Sequence, residues 1–307
     1  MSLPNKTNLL PDRPGIPPMA PMPEAEALDI PALAESYLRG DIDLICVLGP
    51  TASGKTKYAV QLAKEISRLR PLGSARNDNG CHFDQAKRNE NGCHFDQAKR
   101  VEKSAAEILS ADSRQVYTGM DIGTGKDLRE YGEVPYHLID LVPAGSKFNI
   151  YQYQAAFAEA YADVRSRGAV PILCGGSGLY IESVTRAYKF DKENGVPAER
   201  LPQKTFYIGT LVSREERVER IDRRLDERLE EGLVEEVQGL LDSGIPSEDL
   251  LWYGLEYKFV TQYILGEISY DEMHILLANA IHQFAKRQMT WFRGMERDGV
   301  RIHWVRP

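Results

Sequence analysis

Eight consecutive residues, Gly49, Pro50, Thr51, Ala52, Ser53, Gly54, Lys55 and Thr56, hold the densest chemistry in this chain. In a turn of this composition the backbone N–H groups point inward at an anion, the lysine neutralises phosphate oxygens, and the Thr56 hydroxyl can hold Mg²⁺. The apolar run Leu44–Leu48 before it reads as a buried strand. The amphipathic stretch Tyr58–Ala63 after it reads as a helix that aims its positive end at the same anion. A di- or triphosphate group is the expected ligand. Asp112 closes a second apolar stretch, Glu107–Asp112. A carboxylate in that place either holds Mg²⁺ through water or takes a proton from an acceptor, and capping the next turn is the bland alternative. A third stretch, Ala169–Cys174, runs into Gly175-Gly176-Ser177-Gly178, where glycines allow close backbone approach but also suit a plain strand-to-helix turn.

Bringing these three segments together requires strands that alternate with helices. Strands are expected at 44–48, 107–112, 136–141, 169–174 and 206–211, and helices at 30–39 and 150–167. Beyond them the pattern is helical over 215–243, 252–265 and, started by Ser269, 270–293. The fold class that follows is α/β: a phosphate-loop type parallel sheet flanked by helices, with a mostly helical C-terminal part. Ligands in such sheets sit beyond the carboxyl ends of the strands. The core is expected over 41–212 and the helical part, packed on it, over 213–307. Residues 1–40 hold eight of the 17 prolines, so a disordered or extended leader is expected there, ending in the short helix at 30–39.

Residues 77–88 recur almost letter for letter as 89–100, a tandem copy that fits a tolerated surface loop better than a solenoid. Its Cys81-His82 and Cys93-His94 pairs match no common zinc spacing. With a net charge of −7, a general basic field for gripping nucleic acid is excluded. A local basic face is left open by Arg217, Arg220, Arg223, Arg224 and Arg228, which are interleaved with acids, and by Lys286, Arg287, Arg293 and Arg297. No apolar run reaches the roughly 18 to 20 residues of a membrane span, and four cysteines make no disulfide framework in a chain of this size. A cytoplasmic protein with reduced thiols and no membrane partner is expected.

The phosphate loop, Glu107–Lys126, Val134–Val142, Pro171–Ile181, Arg220–Leu240 and Gln283–Gly294 together resemble the tRNA dimethylallyltransferase family of isopentenyltransferases. The resemblance implies that the loop binds the diphosphate of dimethylallyl diphosphate, with Mg²⁺ at Thr56, and that the acceptor is an adenine amine beside the anticodon of tRNA. It further implies Asp112 as general base and Ser177, where the family usually has Thr, near the leaving oxygen. Ser113, Arg114 and Gln115 would lie against the target nucleotide, and Arg220 and Arg224 at the far side of the diphosphate. Salt bridges to nearby acids are an alternative for those two arginines. A monomer is expected. Family members usually insert a helical anticodon clamp after the glycine turn, whereas here only Thr185 to about Thr205 intervenes, and Leu255-Glu256-Tyr257-Lys258 follows the family's Gly-Tyr-Lys element only loosely. Prenylation of free AMP, ADP or ATP is therefore an alternative. A phosphate-loop kinase acting on a small molecule would fit the loop but leave Gln283–Gly294 unexplained.

Overall fold

The computed structural model describes residues 23–69, 106–186 and 195–307. In chain order its main elements are α1 (Ile30–Arg39), β1 (Leu44–Leu48), α2 (Lys55–Leu69), β2 (Ala106–Ser110), β3 (Tyr117–Thr118), β4 (Tyr136–His137), β5 (Val142–Pro143), α3 (Ile150–Ser166), β6 (Val170–Gly175), α4 (Gly178–Thr185) and β7 (Thr205–Thr210). The C-terminal part follows as α5 (Arg214–Glu230), α6 (Leu233–Asp242), α7 (Ser247–Tyr253), α8 (Leu255–Ile264), α9 (Tyr270–Arg297) and β8 (Ile302–Val305). Six strands form one parallel sheet in the order β4-β2-β6-β1-β7-β8. A separate parallel pair joins β3 to β5.

β1 shows why these residues make a central strand. All five of its positions are buried. Ile45 and Val47 pack with Ala59, Leu62 and Ile66 of α2, while Leu44, Cys46 and Leu48 join a second core shared with α3 through α9. A strand covered on both faces has to be apolar throughout, which Leu-Ile-Cys-Val-Leu is. The connection from β1 leaves through α2 on one face of the sheet, and that from neighbouring β6 leaves through α4 on the other. Adjacent strands whose connections part in this way open a crevice at their carboxyl ends.

The α/β architecture matches the sequence expectation, and the differences in detail have local causes. The strand expected over 136–141 stops at His137, because Leu138 and Asp140 take positive φ values of 67° and 59°. The helix expected over 215–243 divides at Gly232, where φ is 103°. The one expected over 252–265 starts earlier and divides at Gly254, where φ is 71°. The periodicity does not reveal β3 and β5, which are two residues each, or β8, which is four residues long and follows closely on a 28-residue helix. Of the leader expected through residue 40, the end is ordered: Asp29 caps α1, and the Glu26 backbone N–H donates to the Trp304 carbonyl at 2.6 Å. Residues 1–22, the duplicated 77–100 segment with its Cys-His pairs, and 187–194 lie outside the described residues. No described helix is long and apolar enough to cross a membrane.

β8 is fixed by Trp304, which is 3% exposed, lies over Gly209 of β7, and donates its indole N–H to Glu296 at 2.8 Å. Trp304→Ala is expected to destabilise the protein by about 3–5 kcal/mol, read from urea unfolding. A loss under about 1 kcal/mol would show that β8 contributes little to the sheet.

Candidate active site

The phosphate loop joins β1 to α2 with Ala52 at φ 61° and Gly54 at φ 81°. Two left-handed residues so close together turn the chain sharply, and only glycine takes that conformation without steric cost. Ser53 is fully buried, and its hydroxyl shares a 2.6 Å hydrogen bond with the Thr210 hydroxyl at the end of β7. That side chain therefore anchors the loop to the sheet. Gly49 and Pro50 form the entry, the Pro50 carbonyl accepting the Ser53 N–H at 3.2 Å. Thr51, Ala52, Lys55 and Thr56 line a narrow slot of about 60 Å³.

Asp112 lies two residues beyond the end of β2 and borders the same slot. Its Oδ1 accepts the backbone N–H of Arg114 at 3.0 Å, a short turn that fixes the carboxylate. Gly175 packs so closely on the Ala111 carbonyl that an added Cβ would lie 2.2 Å from its oxygen, so the glycine turn is needed to bring β6 against the Asp112 segment. The Ser177 hydroxyl accepts the Ser113 backbone N–H at 3.0 Å and donates to the Ser113 hydroxyl at 3.1 Å. Ser177 thus holds the Asp112 turn from behind and lines neither cavity described here. Gln115 reaches the slot, but its amide is already engaged, accepting from the Ser110 hydroxyl at 3.0 Å and donating to the Gly125 carbonyl at 3.1 Å.

Cations converge on the slot from α5. Arg224 and Arg228 line it together with Lys55 and Arg114. Arg224 is paired with Asp127, and burial together with Arg228 pushes its pKa down to about 10. Burial also lowers Lys55; Asp112 counteracts this, and Arg224 and Arg228 reinforce it. Arg220 does not line the slot. It pairs with Glu216 at 2.6 Å and lies beside Gly54 of the loop. Of the local basic face, Arg223 is exposed between Glu219 and Glu227 at 3.7 and 3.9 Å, so that part is a solvated surface.

Three residues that the sequence reading did not place in the site complete the geometry. Arg228, expected only as part of a local basic face, is the extra cation. Glu256, 2% exposed, pairs with both Arg114 and Arg228. Gln288 of α9 accepts the Thr51 N–H at 2.8 Å and donates to the Gly176 carbonyl at 3.0 Å, tying the phosphate loop to the glycine turn. The signal for Gln288 was its place inside Gln283–Gly294, and for Glu256 its place in Leu255–Lys258. Neither shows a partner until the chain is folded.

A second cavity of about 320 Å³ meets the slot at Arg114, which lines both. Half of its lining is aromatic, Tyr117, Phe148, Tyr180, Trp252 and Tyr253, with Met120, Ile150 and Leu179 beside them and Ser113 and Arg114 as the polar members. This size and lining suit a small organic group bound by stacking. The arrangement can therefore hold a polyanion in the cationic slot and a flat ring in the aromatic cavity, with the Asp112 carboxylate bordering the slot beside the Arg114 junction.

The family model for IPP transferase matches residues 115–205 and 190–295. The tRNA dimethylallyltransferase 2 of Bacteroides fragilis is 40% identical over 86% of this chain and 93% of the relative. That of Porphyromonas gingivalis is also 40% identical, over 85% and 93%. Among solved structures, a full-length tRNA isopentenylpyrophosphate transferase from Bacillus halodurans superposes with a TM-score of 0.64 at 25% identity, covering 86% of this chain and 89% of the other. A tRNA isopentenylpyrophosphate transferase from Staphylococcus epidermidis gives 0.63 at 28%, covering 86% and 92%. Sequence identity and overall fold thus agree, and the chain belongs to the IPP transferase family.

Proposed function

We propose that this protein transfers a dimethylallyl group from dimethylallyl diphosphate to the exocyclic amine of an adenine in tRNA, next to the anticodon, and releases diphosphate. The observation that carries this reading is the junction at Arg114 of a cationic slot and an aromatic cavity, with Asp112 beside it. Loop amides, Lys55, Arg224 and Arg228 stabilise the negative charge that grows on the diphosphate as the allylic C–O bond breaks. The adenine nitrogen forms the new C–N bond, and Asp112 takes the proton that the nitrogen loses. Aromatic walls align the acceptor ring and keep water from the allylic carbon.

The donor set suits Mg²⁺. Thr56 and Asp112 border the slot, the second carboxylate there, Glu256, being taken up by Arg114 and Arg228, and among the described residues there is no cluster of three His, Cys, Asp or Glu that would hold a metal by itself. Hard oxygens few in number leave the remaining positions to diphosphate and water, as Mg²⁺ prefers. When bound there, Mg²⁺ supplies further charge neutralisation to the leaving diphosphate.

One observation favours a free nucleotide as acceptor. The alignment with the Bacteroides relative runs over 322 residues, more than the 307 of this chain, so the relative holds segments with no counterpart here. The family match also falls into two pieces that meet at 190–205, where the sequence lacks the usual clamp. Labelled dimethylallyl diphosphate with Mg²⁺, offered unmodified total tRNA and separately AMP and ATP, separates the readings. Label in tRNA is expected; label only in the nucleotides would make AMP or ATP the acceptor, and none in either would overturn prenyl transfer.

Asp112→Ala is expected to cut turnover by about 100-fold or more while diphosphate binding stays nearly intact. Equal loss of binding would assign Asp112 to the metal instead. Lys55 gives a pH signature. Its pKa in the folded protein lies below the ordinary 10.5, and anion binding needs the protonated form. Affinity for inorganic diphosphate should thus fall as pH rises through that lowered value, and titration calorimetry of Lys55→Met should show that part of the pH dependence gone.

A further inference from the structure

Arg114 is held from several sides. Its Nη1 pairs with Glu256, its guanidinium lies 5.7 Å from the centre of the Tyr257 ring, and its backbone N–H is bonded to Asp112. A second guanidinium nitrogen, Nη2, is buried with no hydrogen-bond partner. A charged donor left without an acceptor in a buried place is costly, and such a group is satisfied when a ligand supplies the acceptor. The second oxygen of Glu256 accepts from Arg228 Nη1 at 3.1 Å, and Arg228 lines the cationic slot.

One carboxylate therefore grips a guanidinium at the junction of the two cavities and another on the wall of the first. Burial alone would raise the Glu256 pKa, but Arg114 and Arg228 outweigh it and hold the group ionised. Gly254 and Leu255, both with positive φ, turn the chain immediately before it and start α8 there, which puts the carboxylate between the two arginines.

We propose that Glu256 is a positioning residue that couples the two cavities: it fixes Arg114 so that Nη2 meets an acceptor atom of the adenine nucleotide, and Arg228 so that it faces the diphosphate. This rests on the two-substrate reading above. Glu256 borders the slot, but both of its oxygens are bonded to the two arginines, so it acts through them.

The test is steady-state kinetics of Glu256→Gln, Arg114→Met and the double variant, with dimethylallyl diphosphate, Mg²⁺ and whichever acceptor the wild type uses. Glu256→Gln should raise the acceptor KM about tenfold or more and lower kcat, since a charge-assisted contact is lost. In the Arg114→Met background the same change should add little to the acceptor KM, because its route to that substrate is already gone. Glu256→Asp should recover part of the loss. Thermal melts of each variant separate positioning from folding: the double variant removes an ion pair together and should melt no lower than Glu256→Gln alone. Acceptor KM values for Glu256→Gln within twofold of wild type, or losses that simply multiply in the double variant, would overturn the role of Glu256. A wild type that prenylates no adenine overturns the two-substrate reading itself.

Discussion

One buried amide holds the crevice in shape. The phosphate loop leaves β1 and the glycine turn leaves β6, and each exposes a backbone polar group toward the gap between them. Gln288, 6% exposed, answers both, accepting from Thr51 and donating to Gly176. In a low-dielectric setting such paired bonds are directional, and leaving either backbone group unpaired is expensive. Because Gln288 stands on α9, the helical C-terminal part is a working half of the site and no mere appendage of the sheet.

Placement of charge matters more here than its amount. The chain is acidic overall, with a net charge of −7, yet Lys55, Arg114, Arg224 and Arg228 converge on one slot. Packed cations repel one another, and the lowered pKa values of Lys55 and Arg224 record that together with burial. Asp127 and Glu256 offset part of the repulsion, Glu256 from the wall of the slot itself. What is left is a pre-organised positive field in the slot.

Much of this was legible in the sequence, for physical reasons. The phosphate loop and the strands around it are local patterns, written in five to eight neighbouring residues, and they fold as read. Asp112 and Arg224 also reach the slot. Other assignments turned on partners that only the fold supplies: Ser53 is claimed by Thr210, Gln115 by Ser110 and Gly125, Ser177 by Ser113, and Arg220 by Glu216 outside the slot. Glu256 was given no role because a single acid on a helix is ordinary until two arginines from distant elements close on it. The breaks at Gly232 and Gly254 were obscured by apolar periodicity that continues across them.

The position of β8 has a consequence for how the chain is made. Parallel pairing of β7 with β8 bridges the whole helical part, and α9, which brings Gln288, comes just before it. Contacts so distant along the chain form slowly, and synthesis runs from the N-terminus. The nascent chain therefore displays its phosphate loop long before the residue that locks it has left the ribosome. A fixed crevice is the last thing this protein acquires.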